Sequence, residues 1–290
     1  MSKKSVVLLI GLTLSTAVFA QPPSPKRLTR AVSVDTSAPI VRPNAVSSLT
    51  QGASVAATST CSYTFTSGGT ATLKYLQYCV TVNGNITEFQ SPAGAEHIRV
   101  GTIGDGYALC DFTAGQVGYH DYADYGDTDT GPGWAAPVLL SQSATVVKIA
   151  RTTADGRWTL TQTFTQSAAD ASVKVAMAIT NNTAISRTIW LTRFTDIDAD
   201  NTAANIMDGT AEQVFGYNTS ETGYGLQISL AAPNTFSNDG LAINQVDNAC
   251  AIGAGYTGLL NGVDGIAYSF HYIIVPAHGT KTVTLKYKGL

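Results

Sequence analysis

Three aspartates alternate in the segment Asp196-Ile197-Asp198-Ala199-Asp200, directly after a run that predicts a β-strand. Calcium prefers about six to eight oxygen ligands, and closely spaced aspartates in a turn supply several of them at once. The EF-hand pattern is not met, because Asn201 replaces its glycine and Met207 replaces its bidentate glutamate. We therefore predict Asp196, Asp198 and Asp200 as calcium ligands. The alternative is a polar loop whose aspartates cap turns and face water.

A second acidic segment runs from Asp121 to Trp134 and mixes carboxylates with aromatic rings. Tyrosine and tryptophan rings stack on the apolar faces of sugars, and aspartate accepts hydrogen bonds from sugar hydroxyls. We expect a long irregular loop here, and such loops in compact domains tend to be functional. The predicted glycan-binding residues are Asp121, Tyr122, Asp124, Tyr125 and Trp134. The alternative is that these rings only pack the loop onto a sheet.

The histidines form no HExxH motif and no pair at metal-binding spacing. A general acid or base needs a partner in space, and His120 has Asp121 beside it in the chain. The candidate catalytic residues are His120, Asp121, Arg193 and His271, each with a structural or surface role as its alternative. The sequence contains no nucleophile elbow, phosphate loop or dinucleotide fingerprint.

The elements that would position these residues are predicted to be β-strands. Apolar side chains recur at every second position in runs such as 147–152, 158–165, 173–179 and 282–287, with Gly, Asn and Asp turns between them. Only 202–214 and 240–250 are left as sites for a short helix. We therefore predict an all-β fold, an antiparallel two-sheet sandwich from residue 60 to residue 290.

One stretch of the chain resembles a known family. The turn Asn181-Asn182-Thr183, after a strand region containing Arg151 and Trp158 and before the run to Asp196, is similar to the middle of a galactose mutarotase-like supersandwich. Such domains occur in aldose epimerases, polysaccharide lyases and some glycosidases, so the resemblance implies a sugar-related supersandwich. The family's catalytic His and Glu pattern is not recognisable, and no catalytic residue is carried over.

A looser likeness covers the whole chain. The segments Gly106-Tyr107-Ala108-Leu109-Cys110 and Arg193-Phe194-Thr195-Asp196-Ile197-Asp198-Ala199-Asp200 resemble secreted bacterial β-sandwich proteins of unassigned function. This resemblance implies a fold and an exported protein, and it implies no activity.

The four cysteines, Cys61, Cys79, Cys110 and Cys250, are an even set without a CxxC pair, which favours disulfides over a metal site. Four cysteines allow three pairings. A hairpin signal at 67–70 lies between Cys61 and Cys79, which favours their pairing and leaves Cys110 for Cys250.

The start of the chain predicts export. Lys3 and Lys4 precede an apolar run, and Ala17-Val18-Phe19-Ala20 supplies the small residues of a cleavage site, so residues 1–20 are predicted to be a signal peptide. Residues 21–59 open with three prolines and read as a flexible arm. We expect a secreted or periplasmic protein, and no later run is long enough to span a membrane.

The net charge of the chain restricts the classes of partner that it can bind. The formal charge of −3 becomes −5 without the two leader lysines, and four cations against one aspartate give the arm +3, which leaves −8 on residues 60–290. An acidic domain argues against nucleic acid as a partner. We therefore predict a secreted or envelope-associated noncatalytic module that binds a glycan, a cell-envelope component or another extracellular ligand, with either no cofactor or calcium. The alternatives are a carbohydrate-active enzyme of the mutarotase or lyase type and a structural envelope or appendage protein.

Overall fold

The computed structural model describes residues 61–69, 74–98, 103–124, 129–130, 133–167, 169–218, 223–232, 239–243, 250 and 257–290. They all belong to one compact unit that spans residues 42–290. The predicted signal peptide and arm lie outside the described residues. No helix in the described part of the chain is long and apolar enough to cross a membrane.

The described residues form strands and two short 3-10 helices, Phe112–Ala114 and Ala199–Asn201. The strands are β1 (Cys61–Ser67), β2 (Leu76–Thr81), β3 (Ile86–Gln90), β4 (Ile103–Asp111), β5 (Val117–Asp124), β6 (Asp129–Thr130), β7 (Val138–Gln142), β8 (Val146–Thr152), β9 (Trp158–Ser167), β10 (Ser172–Asn181), β11 (Arg187–Ile197), β12 (Asn205–Gly209), β13 (Gln213–Asn218), β14 (Gly225–Leu230), β15 (Asp239–Ile243), β16 (Leu260–Val263), β17 (Gly265–Val275) and β18 (Thr280–Gly289).

Buried and more exposed side chains alternate along these strands. Along β9, Trp158, Leu160, Gln162 and Phe164 are buried, and each threonine between them is more exposed. A helix would place such residues around its axis, whereas an extended strand sends them to one side. The predicted all-β class is therefore confirmed.

The strands form three antiparallel sheets. A nine-stranded sheet has the order β16-β12-β13-β14-β18-β10-β9-β8-β7, a six-stranded sheet has the order β15-β17-β11-β4-β5-β6, and a small sheet has the order β1-β2-β3. One buried cluster joins apolar residues of all three sheets, including Phe89, Leu109, Phe164, Leu191 and Leu285. The two large sheets thus pack face to face as a sandwich, so each has an inner and an outer face.

Two local expectations were wrong. The segments considered for short helices instead contain β12, β13 and β15, because their side chains alternate between sheet faces, as in the Gln213–Asn218 burial pattern. The segment expected to be a long irregular loop instead starts within a strand, because Val117–Asp124 forms β5 beside β4. Three of the predicted glycan-binding residues, Asp121, Tyr122 and Asp124, therefore lie on a strand.

The two disulfides join Cys61 to Cys79 and Cys110 to Cys250, which confirms the predicted pairing. The first ties neighbouring strands β1 and β2, with the two Cα atoms 5.5 Å apart. The second fixes residue 250 to β4 across a sequence separation of 140 residues.

Candidate functional site: an aromatic and acidic sheet face

The outer face of the six-stranded sheet carries a group of aromatic side chains. Strands β11 and β17 pair so that Phe194 lies opposite Tyr268 and Trp190 lies opposite Tyr272, with Phe270 between them on β17. Alternate residues of β11, including Leu191, face the core instead. We call Tyr122, Trp190, Phe194, Tyr268, Phe270 and Tyr272 the aromatic face.

The rings contact one another along this face. Trp190 lies 5.3 Å from Tyr272 and 5.9 Å from Phe270, both edge to face, measured between ring centroids. Tyr268 continues the row at 5.9 Å from Phe270. Phe194 and Tyr268 are buried, whereas Trp190, Phe270 and Tyr272 remain partly exposed. The exposed members therefore offer ring surface to a ligand, and the buried pair supports them.

Glycines let two of these rings lie close to the sheet. A Cβ atom at Gly106 would collide with the Phe194 ring and would stand 2.6 Å from the Asp121 carbonyl oxygen. A Cβ atom at Gly240 would stand 2.8 Å from the Phe270 ring. A side chain at Gly106 would displace the Phe194 ring or the backbone of β5, and a side chain at Gly240 would displace the Phe270 ring.

Carboxylates lie at one end of the same face. Oxygen atoms of Asp196, Asp198 and Asp264 are all within 4.8 Å of one another, and the first two residues are buried. Asp196 follows Phe194 on the outer side of β11, so the acidic group continues the aromatic face. Three converging carboxylates are a donor set suited to calcium.

Asp200 is not a member of that carboxylate group. Its backbone N–H donates to His97 Nδ1 at 3.1 Å, and its Oδ2 accepts from Asn218 Nδ2 at 3.5 Å. Burial lowers the pKa of His97, which keeps the ring neutral and able to accept that hydrogen bond. The structure therefore groups Asp264 with two of the three predicted ligands. Calcium binding stays a prediction.

The inner face of the sheet holds buried ion pairs. Arg193 contacts Asp105 with both side chains fully enclosed, Arg151 contacts Asp121, and Arg187 Nη1 lies 2.9 Å from Asp111 Oδ2. Buried charges need such partners, because water no longer solvates them.

The Asp105–Arg193 pair is the most enclosed. Arg193 also donates to Tyr287 Oη at 2.9 Å and to Gln162 Oε1 at 2.7 Å, both on the opposite sheet. Asp105 accepts from the Ile86 N–H at 2.8 Å. Burial raises the pKa of Asp105, and the Arg193 guanidinium works in the opposite direction. The pair connects all three sheets, which gives it a structural role.

The four catalytic candidates do not meet at one place. Asp121, Arg193 and His271 are buried and belong to inward-facing positions, whereas His120 lies on the outer face and stacks on Tyr122 with ring centroids 6.1 Å apart. Neighbouring residues of a strand point to opposite faces, so His120 and Asp121 are separated although they are adjacent in the chain. Their catalytic roles stay predictions.

The predicted glycan-binding residues are divided in the same way. Tyr122 joins the aromatic face through Phe194, with ring centroids 6.5 Å apart, while Asp121 is enclosed beside Arg151. Trp134 is only 8% exposed and lies edge to face with Tyr107 in the core. Asp124 pairs with Ile103 at the end of β5. The side chain of Asp124 lies outside the described residues, and so does the whole of Tyr125. A glycan site at these five residues stays a prediction.

Sequence reasoning missed most of the aromatic face. Tyr268, Phe270 and Tyr272 occur at every second position, a pattern that predicts one aromatic side of a strand. The run 267–275 therefore predicts a strand rich in aromatic residues, but not the partners of its rings. Pairing with Trp190 and Phe194 depends on the order of the strands, which the spacing does not reveal.

Neither a protein-family model nor a curated protein sequence matches the chain. A bacterial glucoamylase structure matches with a TM-score of 0.53 at 9% identity, over 83% of this chain and 34% of the glucoamylase. This chain thus spans about a third of that protein's length, and the match shows a shared fold.

Two further structures match less closely. A putative aldose 1-epimerase from Escherichia coli K12 has a TM-score of 0.46 at 11% identity, over 79% of this chain and 99% of its own. A galactose mutarotase-like protein from Lactobacillus casei has a TM-score of 0.40 at 13% identity, over 79% of this chain and 100% of its own. The resemblance to galactose mutarotase-like domains, noted in the sequence, recurs among these structures.

Proposed function

We propose that the protein is an exported module that binds a carbohydrate, without chemical conversion, on its aromatic face. The observation that carries the proposal is the group of Trp190, Phe270 and Tyr272 on one side of one sheet. All three are partly exposed, and Trp190 packs edge to face on both other rings. Sugar rings expose C–H surfaces that pack on such side chains, while carboxylates accept hydrogen bonds from sugar hydroxyls.

The acidic end of the face supports the same proposal. Asp196 lies on the same side of β11 as Trp190 but six residues further along the strand, about 20 Å away, so a chain of several sugar units would span the exposed rings and this carboxylate. A structural calcium ion at these carboxylates is part of the proposal. The fold shared with a glucoamylase is compatible with a sugar ligand, although a fold alone does not specify a function.

Binding to a panel of neutral soluble polysaccharides, measured by calorimetry on the exported chain, tests this proposal. At least one polysaccharide should bind, and Trp190→Ala or Tyr272→Ala should weaken that binding about tenfold, a loss of about 1.4 kcal/mol. Thr66→Ala is the control, because Thr66 is exposed on the small sheet and belongs to neither large sheet.

Two results would contradict the proposal. If both aromatic variants bind the polysaccharide as tightly as the parent protein, the aromatic face is not its binding site. Release of reducing ends, unsaturated products or a changed anomer ratio during the titration would instead support the carbohydrate-active enzyme.

A further inference from the structure

Lysines gather on the outer face of the nine-stranded sheet. Lys148, Lys174, Lys286 and Lys288 each stand between two buried neighbours on β8, β10 or β18, so all four side chains point away from the core. Lys286 and Lys288 are two residues apart on one strand, a separation of about 7 Å. We call these four residues the lysine patch.

Two of these lysines oppose each other across neighbouring strands. Lys174 on β10 is the direct register partner of Lys286 on β18. Like charges in such a pair destabilise a sheet, because their Cβ atoms are only about 5 Å apart. An arrangement that costs stability in the free protein is relieved when an anion binds between the two charges.

Part of this charge is already balanced. Asp170 Oδ2 accepts a hydrogen bond from Lys286 Nζ at 2.6 Å, and its Oδ1 accepts one from Ser172 Oγ at 2.6 Å. Lys174 is exposed, as is Lys148, and neither has an ion-pair partner among the salt bridges of the described residues. The patch therefore retains positive charge that faces solvent.

Hydroxyl and amide groups surround the lysines. Thr165 is the register partner of Lys174 on β9, Ser229 is that of Lys286 on β14, and Gln227 is that of Lys288. Such groups donate and accept hydrogen bonds with a sugar chain, whereas the lysines attract its anionic substituents.

The local charge differs from the charge of the whole domain. Residues 60–290 carry a formal −8. In the carboxylate group, Asp196 lies on β11 of the other large sheet, and Asp264 lies between β17 of that sheet and β16, an edge strand of the nine-stranded sheet. Strand β16 is four strands away from β18, about 19 Å, which exceeds the Debye length of about 8 Å at physiological ionic strength. An anionic ligand on the lysine patch therefore senses mainly the four lysines and Asp170, which offsets one of their charges.

We propose that the lysine patch binds an anionic polysaccharide through its carboxylate or sulfate groups. This site is separate from the aromatic face and lies on the opposite side of the sandwich. The exported protein would then join an anionic polymer on one side to a second glycan on the other.

The test measures binding of the exported chain to polygalacturonate, dextran sulfate and neutral dextran at several salt concentrations. Binding should favour the two anionic polymers, and the logarithm of the affinity should fall linearly with the logarithm of the salt concentration. Lys174→Ala should reduce that slope by about one and weaken binding severalfold.

Lys174→Glu separates binding from folding. It places opposite charges across β10 and β18, so the melting temperature should not fall, while binding to both anionic polymers should weaken further than in Lys174→Ala. Lys74→Glu is the matched control, because Lys74 is an exposed lysine outside the nine-stranded sheet. It should leave binding unchanged.

Several results would overturn the proposal. One is equal binding of neutral dextran without salt dependence. Another is an unchanged affinity in Lys174→Glu, or an equal loss in Lys74→Glu. Duplex DNA that binds as tightly as the polysaccharides would assign the patch to polyanions in general. Because Trp190→Ala leaves the lysine patch intact, failure of the aromatic face would not affect these measurements.

Discussion

The Asp105–Arg193 pair allows a quantitative test of how the sandwich is held together. Arg193→Met keeps most of the side-chain volume and removes the guanidinium that contacts Asp105, Tyr287 and Gln162. Removing one partner of a buried pair leaves an uncompensated charge and costs about 3 to 5 kcal/mol. We therefore expect the free energy of unfolding to fall by about that amount at neutral pH.

The loss should depend on pH with a defined sign. Burial already raises the pKa of Asp105, and without Arg193 the main opposing charge is gone. A carboxyl group with a raised folded-state pKa contributes stability below its ordinary pKa of about 4 and loses it as the pH rises. The deficit of Arg193→Met should therefore be smallest in acid and should grow toward neutral pH.

Urea unfolding with intact disulfides, followed by tryptophan fluorescence, measures both effects. Adding Asp105→Asn to Arg193→Met should recover about 1 to 3 kcal/mol relative to the sum of the single losses, because the stranded charge is then removed. Arg157→Met is the control. Its pair with Asp155 is about one-third exposed, so its loss should stay below about 1 kcal/mol.

Two outcomes would refute this reasoning. The first is a loss below about 1 kcal/mol in Arg193→Met at neutral pH. The second is additivity of the two substitutions within about 0.5 kcal/mol, which would mean that the residues do not interact energetically.

The other predictions concern three separate sites. Although partial burial works against it, the hydrogen bonds from Lys286 and Ser172 hold the pKa of Asp170 below its ordinary value. Asp170→Asn should therefore lower the free energy of unfolding by up to about 1 kcal/mol above pH 4, and the difference should shrink in more acidic solution. Equal melting temperatures of the variant and the parent protein at all pH values would contradict this prediction. Gly106→Ala should lower the unfolding free energy by about 1 to 3 kcal/mol, because its methyl group meets the Phe194 ring, while Gly69→Ala, with open space around it, should change little in the same urea titration. Calcium should raise the melting temperature, a chelator should reverse the rise, and Asp198→Asn should abolish it. A melting temperature that does not change when calcium is added would contradict the predicted calcium site.

The sequence alone determined the class of structure. Alternation in segments such as 158–165 predicts strands, because a side-chain period of two is a local property of the extended backbone. An even set of cysteines around a hairpin signal predicted the pairing of Cys61 with Cys79 for a similarly local reason. These inferences needed no knowledge of which strands are neighbours.

Only the tertiary structure decided which side chains meet. Asp264 joins Asp196 and Asp198 because β17 pairs with β11, although many residues separate them in the chain. Lys174 meets Lys286 through the pairing of β10 with β18. Conversely, the neighbours Asp121 and Tyr122 are divided between the core and the outer face. Strand order and register bring together residues from distant segments, and these depend on the packing of the whole sandwich, which local spacing does not encode.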